Sequence, residues 1–320
     1  MPDPVVLVTA ICGDIGCSAS RALMPSVYRI IGCDAKPLSE AWYGDLVDVF
    51  EIVPPAKEKS AYIKSINHII HKYGVDYFLP ISEPEIELVN RHKREFTIDP
   101  NRILINNPLI VETFLDKQTT IQFLKEIGIT VPESIPLSQF TNQFNFPLMV
   151  KSRRGCGSKR NWKVCNKKEL SKLRATGENE LIVQQYIGSS DEEYTTGVFS
   201  DGIATAAISF KRKLGYGGLS VEVKFENIPF LDHLAEFIAL KTGLRGSLNI
   251  QSRREGEIYI PFEINPRLSS TLLFRKKFGF DDAVWWMNLL NDKPFEYRRK
   301  FACGSAIRYL SEKYYNMQEL

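Results

Sequence analysis

The chain has 320 residues, of which 44% are hydrophobic and 25% charged, with a net charge of +3. That length suits two or three lobes with a full core, and the near-balance of charge gives no electrostatic reason to expect nucleic acid or an anionic membrane as a partner. No apolar stretch approaches the roughly 18–20 residues of a membrane helix, and the start, Met-Pro-Asp-Pro, lacks a basic n-region, so a soluble, cytoplasmic protein is expected.

Residues 1–108 read as an α/β unit. Strand-like apolar runs at 5–10, 28–33 and 77–81 alternate with helical patterns at 18–24, 61–73 and 84–92, which predicts a parallel sheet with right-handed crossovers. Residues 109–187 are expected to form a middle lobe. It has an amphipathic helix at 116–127, then strands at 148–151 and 181–184 flanking a glycine-containing loop and a helix at 167–174. Residues 188–320 are strand-rich, with strands at 194–199, 205–210 and 220–224 and a helix at 229–242. A hairpin of 247–253 with 257–265 follows, then helices at 274–278 and 282–290 and a strand at 305–310. The six cysteines form no CxxC pair and no histidine stands at zinc-ligand spacing, so reduced, mostly buried thiols are expected.

The hairpin carries the strongest chemical signal. Side chains alternate faces along a strand. Strict alternation would put Ile258, Ile260, Phe262 and Ile264 on one apolar face and Glu263 with Asn265 on the other. The partner strand offers Asn249 and Gln251 opposite Leu248 and Ile250. Oxygen-bearing groups with one formal negative charge suit Mg²⁺, which takes one or two carboxylates and completes its shell with water and phosphate oxygens. The same pattern also suits the solvated face of an edge hairpin.

A second signal is Lys151 at a strand end, leading into Ser152-Arg153-Arg154-Gly155-Cys156-Gly157-Ser158. Glycines let backbone N–H groups approach phosphate, although the spacing is not that of a Walker A loop, and a basic surface turn reads similarly. A third is the strand 181–187, through Gln184, Gln185, Tyr186 and Ile187, followed by Glu193; it could border a flat base and a ribose, or be a plain connector. Near the start, Gly13-Asp14-Ile15-Gly16 with Asp34 invites a dinucleotide reading, but the GxGxxG frame needs glycine where Ile11 stands. Ser82-Glu83-Pro84-Glu85 lies where open α/β sheets place ligand contacts, and equally reads as an acid-rich helix start.

Taken in order, Asp116-Lys117, Lys151 with its loop, Gln184–Ile187, Glu193, Gln251 and Glu263-Ile264-Asn265-Pro266-Arg267 resemble the ATP-grasp superfamily. The likeness is greatest to carboxylate-amine ligases similar to the carbamoyl phosphate synthetase large chain. The resemblance implies an α/β ATP-grasp fold with an N-terminal Rossmann-like domain, ATP and Mg²⁺ (or Mn²⁺) as cofactors, and small-molecule carboxylate and amine substrates. A homodimer is admitted as the assembly. It also implies roles for residues. Lys117 and Lys151 would meet the α- and β-phosphates, Gly155, Gly157 and Ser158 would belong to the lid, and Gln185 to Ile187 would line the adenine, with Gln184 beside them in the nucleotide-binding set. Glu193 would hold the ribose, and Gln251, Glu263 and Asn265 would ligate the metal. Arg267 would touch the γ-phosphate or an acyl phosphate, and Arg212 would face phosphate or substrate. Arg275, with Arg267, is a candidate for a substrate carboxylate, because a guanidinium matches a carboxylate bidentately. Gln185 departs from the family, where many relatives carry Glu. The competing expectation is a nucleotide-binding regulatory or assembly subunit without turnover.

Overall fold

The computed structural model describes residues 3–26, 29–40, 47–155, 160–177 and 180–309. The N-terminal lobe runs β1 (Val5–Val8), α1 (Asp14–Leu23), β2 (Arg29–Asp34), β3 (Val49–Ile52), α2 (Lys59–Tyr73), β4 (Tyr77–Leu79) and α3 (Glu83–His92). Its four strands pair in the order β3-β2-β1-β4, all parallel, as the alternation of strands and helices predicts. Helix α2 forms because Tyr62, Ile63, Ile66, Ile69 and Ile70 fall on one face and bury against the sheet. Gly74 ends it in the left-handed conformation at φ +62°. At the start of α1 the chain turns so tightly that a Cβ on Gly16 would lie 2.3 Å from the Ala10 carbonyl oxygen, so this position requires glycine.

Helices α4 (Pro108–Phe114) and α5 (Lys117–Glu126) follow. The middle sheet comprises β5 (Ser134–Pro136), β6 (Leu148–Ser152), β7 (Asn161–Val164) and β8 (Leu181–Gln185), with α6 (Lys167–Ala175) between β7 and β8. Its order is β5-β8-β6-β7, antiparallel throughout. The C-terminal lobe holds β9 (Glu193–Ser200), β10 (Thr205–Leu214), β11 (Ser220–Phe225), α7 (Pro229–Thr242), β12 (Gly246–Glu255), β13 (Ile258–Asn265), α8 (Leu272–Lys277), α9 (Asp282–Leu289) and β14 (Gly304–Ile307). These six strands form an antiparallel sheet ordered β13-β12-β9-β10-β11-β14.

Packing divides the chain differently from the expected boundary at residue 109. Ile110 and Phe114 of α4 and Ile121 and Leu124 of α5 bury against Val198, Leu248, Ile250, Ile264 and helix α7, on one face of the large sheet. The middle sheet has its own core around Leu148, Val150, Val183 and Phe140. The other face of the large sheet shares a continuous core with α1 and β1 of the N-terminal lobe, through Phe199, Phe210, Ala19, Ala22 and Leu23. The first and last lobes are therefore one packed body, and the middle sheet stands over it.

Candidate active site

A cleft of about 420 Å³ lies where the middle sheet faces the hairpin of the large sheet. Lys117, Lys151, Gly155, Gln184, Gln185, Ile187, Glu193, Arg212, Gln251, Glu263, Asn265 and Arg267 all line it. Gly157 and Ser158 lie outside the described residues.

The hairpin register sets the oxygen-bearing face. Asn249 pairs with Asn265 and Gln251 with Glu263 across the ladder, which brings both pairs to the same side of the sheet. Asn265 Nδ2 lies 3.3 Å from Glu263 Oε1. Beyond Gln251 the register shifts, so that Ser252 faces Pro261 and Phe262 is an extra residue. This bulge overturns the strict alternation expected for β13. Ile264 packs into the helix-covered core, whereas Ile260 and Phe262 cluster with Ile187, and Phe262 lines the cleft beside Glu263. A bulge re-aims side chains in this way, and Pro261 is tolerated because β13 is an edge strand.

Cations surround this face. Lys151 is 3% exposed at the end of β6, donates to Gln184 Oε1 at 2.8 Å and sits 4.8 Å above the Phe262 ring. Burial pushes its ammonium down to about 8, with the nearby Lys117 and Arg253 acting in the same sense and Glu263 and Glu193 opposing. Lys117 donates to the Gly155 carbonyl at 2.9 Å, and Gly155 holds φ +102°, a conformation suited to glycine. Burial by itself would raise the Glu263 carboxyl, but the fields of Lys117 and Lys151, the Asn265 amide and Arg212 outweigh it and hold the group below the ordinary carboxylate range.

Asp116 caps α5 and takes the Arg153 guanidinium at 2.7 and 2.8 Å, anchoring the stem of the glycine loop. Glu193 is 3% exposed and engaged on both oxygens: Arg212 Nη2 donates at 2.7 Å to one and Arg253 Nη2 at 2.9 Å to the other. Arg212 also donates to Gln251 at 2.8 Å. Arg267 donates to Asn265 Oδ1 at 2.9 Å and to Glu83 Oε1 at 3.0 Å.

Two expected residues stand elsewhere. Arg275 is fully buried behind the cleft wall, where it makes a bidentate pair with Asp282 at 2.6 and 2.9 Å and donates at 2.8 Å to Ser269, which lines the cleft. Its guanidinium is engaged by Asp282, Ser269 and Thr271 and is not part of the cleft lining. The Tyr186 ring is not part of the cleft wall; it lies beneath Lys163 at 4.3 Å and Arg253 at 5.0 Å. Conversely, Arg253, Phe262, Met149 and Asp14 line the cleft without having been singled out for a role there. Arg253 was legible in part, since it follows Asn249 and Gln251 in the same alternation. Phe262 depends on the bulge.

The donor set fits a hard divalent cation. Among the described residues no group of three or more His, Cys, Asp and Glu side chains could hold a metal, and an ion in this cleft would need amide oxygens alongside one carboxylate. Gln251, Glu263 and Asn265 would supply these in cross-strand register, with Glu263 held in its charged form, and the Gln251 and Asn265 oxygens would accept from Arg212 and Arg267 as well as face the ion.

Residues 114–271 match the family model described as the ATP-grasp domain, and residues 17–100 match that described as "PylC-like, N-terminal domain". No curated protein matches the sequence. Among solved structures, the biotin carboxylase domain dimer of Hydrogenobacter thermophilus 2-oxoglutarate carboxylase, in complex with MgADP, ADP and bicarbonate, superposes with a TM-score of 0.73 at 14% identity, covering 94% of this chain and 72% of that one. Campylobacter jejuni biotin carboxylase gives 0.71 at 16% identity, with 91% and 72% covered. N5-carboxyaminoimidazole synthetase from Staphylococcus aureus, complexed with ADP, gives 0.74 at 13% identity, with 96% and 82% covered. At these identities the likeness is one of fold.

Proposed function

We propose that this chain, whose residues 114–271 match the ATP-grasp domain, is an ADP-forming ligase that activates a carboxylate as an acyl phosphate and transfers the acyl group to an amine. The observation that carries this reading is the register of the hairpin, which sets Gln251, Glu263, Asn249 and Asn265 on one cleft-facing surface with Lys117, Lys151 and Arg267 around them. Such an array places positive charge where a polyphosphate develops negative charge, and phosphoryl transfer asks little else of a protein. The ADP bound by the Staphylococcus and Hydrogenobacter proteins supports the same assignment.

In this reading Met149, Gln185, Ile187 and Phe262 border the base, with the Gln185 side-chain carbonyl able to accept from an adenine amino group. Lys117 and Lys151 neutralise the inner phosphates. Gln251, Glu263 and Asn265 would hold Mg²⁺, which would supply Lewis-acid stabilisation of the charge on the phosphates. Arg267, tethered to Asn265, stands at the terminal phosphate. A carboxylate oxygen attacks the γ-phosphorus, the bond to the β–γ bridging oxygen breaks, and ADP leaves. The amine then attacks the acyl carbon, and phosphate departs carrying one former carboxylate oxygen. Glu193 is already committed to Arg212 and Arg253, so any contact with ribose shares a carboxylate that those guanidiniums hold in place.

The test is isotopic. A screen of paired carboxylates and amines for ADP release identifies substrates. With ¹⁸O in the carboxylate, inorganic phosphate should then emerge singly labelled. AMP as coproduct, or unlabelled phosphate, would overturn the mechanism. A nucleotide-binding subunit without turnover would transfer no label with any pair.

A further inference from the structure

Helix α3 belongs to the N-terminal lobe, yet its acids reach into both of the others. Its start is fixed by a buried network. Glu85, 6% exposed, accepts from Thr9 Oγ1 at 2.8 Å, from Tyr62 OH at 3.0 Å, and from the Ser82 amide and hydroxyl at 3.0 and 2.7 Å. A capping box this well satisfied gives the first turn of α3 little freedom. From that turn Glu83, 8% exposed, receives Arg267 Nη2 at 3.0 Å. One turn later Glu87 receives Arg154, at the stem of the glycine loop, at 2.8 Å.

The same Arg267 nitrogen also donates to Asn265 Oδ1 at 2.9 Å, and Nη1 donates to the Leu268 carbonyl at 3.1 Å. Arg267 is thus aimed by groups from two lobes, and the carboxylate it donates to, Glu83, comes from the lobe that supplies neither the amide-and-carboxylate face of the hairpin nor the lysines. We propose that Glu83 is a positioning residue for phosphoryl transfer. It fixes the orientation of Arg267 and, by neutralising it, restrains its attraction for the terminal phosphate of ground-state ATP. This rests on the ligase reading above. A catalyst gains when a cation is stronger toward the transition state than toward the bound substrate. An acid that holds the arginine in place and tempers its charge works in that direction.

The proposal predicts an unusual sign. Glu83→Gln keeps the size and one acceptor oxygen but removes the charge. It should tighten binding of the magnesium complex of the β,γ-imido analogue of ATP by about three- to tenfold, while the dissociation constant for MgADP, which lacks the terminal phosphate, stays within about twofold. Glu83→Asp keeps the charge and shortens the reach, and should change the analogue's affinity less than Glu83→Gln does. Calorimetric titration of all three proteins with both nucleotides decides it. Weaker analogue binding in Glu83→Gln, or an equal change for both nucleotides, overturns the proposal and makes Glu83 a structural clasp. Failure of the wild-type protein to bind either nucleotide would remove the ligase reading first and this inference with it.

Discussion

Lys151 Nζ lies 2.8 Å from Gln184 Oε1, so among the described residues the deeply buried ammonium of β6 has an amide, and no carboxylate, as its hydrogen-bonding partner. The fields of Glu263 and Glu193 only partly offset its burial, so this cation is unfavourable in the free protein and would be favoured by an arriving anion.

One consequence is a pH dependence. The Lys151 ammonium stands at about 8 in the free protein, below its ordinary value of 10.5. A bound polyphosphate would favour the charged form and raise it. Binding therefore takes up a proton once the pH exceeds about 8, and affinity is full below that pH and lost above it. The slope should approach about tenfold per pH unit. Calorimetry at pH 7 and pH 9 in buffers of different ionisation enthalpy should show proton uptake only at the higher pH. Lys151→Arg should abolish that uptake, and an unchanged uptake would reassign the proton.

A second consequence concerns stability. Between pH 8 and the ordinary lysine value the unfolded chain binds more protons at this site than the folded one, so the burial of Lys151 lowers stability at neutral pH and the loss is recovered as pH rises. Lys151→Met should raise the melting temperature of the nucleotide-free protein, by on the order of 1–3 kcal/mol in stability, while weakening ATP more than adenosine. A lower melting temperature would show that the bond to Gln184 outweighs the desolvation.

Glu263→Gln and Asn265→Ala should abolish ATP turnover and leave the melting temperature within a few degrees. Glu263 is hydrogen-bonded weakly, at 3.3 Å, and its charge is favoured by the nearby Lys117 and Lys151. Normal activity in a folded Glu263→Gln protein would remove the metal assignment.

Arg275→Ala should behave in the opposite way. The Arg275–Asp282 pair is fully buried, and breaking it leaves an unpaired charge in the core, at a cost of about 3–5 kcal/mol. Arg275 also packs against the β9 backbone, since a Cβ on Gly197 would lie 3.1 Å from its side chain. Urea denaturation should show the loss, and any fraction that stays folded should keep its Michaelis constants. A raised constant for the carboxylate alone would restore the substrate role.

Much of the site was legible because its residues lie on regular elements, where spacing fixes the face. Gln251 and Glu263 are found from alternation along β12 and β13, and Lys151 from the end of β6. The short edge strand β3 was not, since its half-exposed Val-Phe-Glu-Ile lacks a clean pattern. Nor was β7, also an edge strand, where Trp162 is only partly buried. Helix α4 left a signal that could have been taken: Asn107 accepts from the Ile110 amide and Pro108 opens the first turn. Arg275 misled because its partner lies across a turn between two helices, a contact that no periodicity encodes. Glu83 reads as an ordinary acid at a helix start, and only the packing of the lobes brings it to Arg267.

The extra residue in β13 has one more implication. Pairing continues on both sides of Phe262, with Glu263 opposite Gln251 and Pro261 opposite Ser252, so the ladder is complete without it. The phenyl ring beneath Lys151 is in effect an insertion into a finished hairpin. Deleting that single residue would leave the oxygen face in register while stripping the apolar surface beside it. The apolar wall of the cleft can therefore change without moving the oxygen-bearing side chains of the hairpin out of register, although the two are neighbours in the chain.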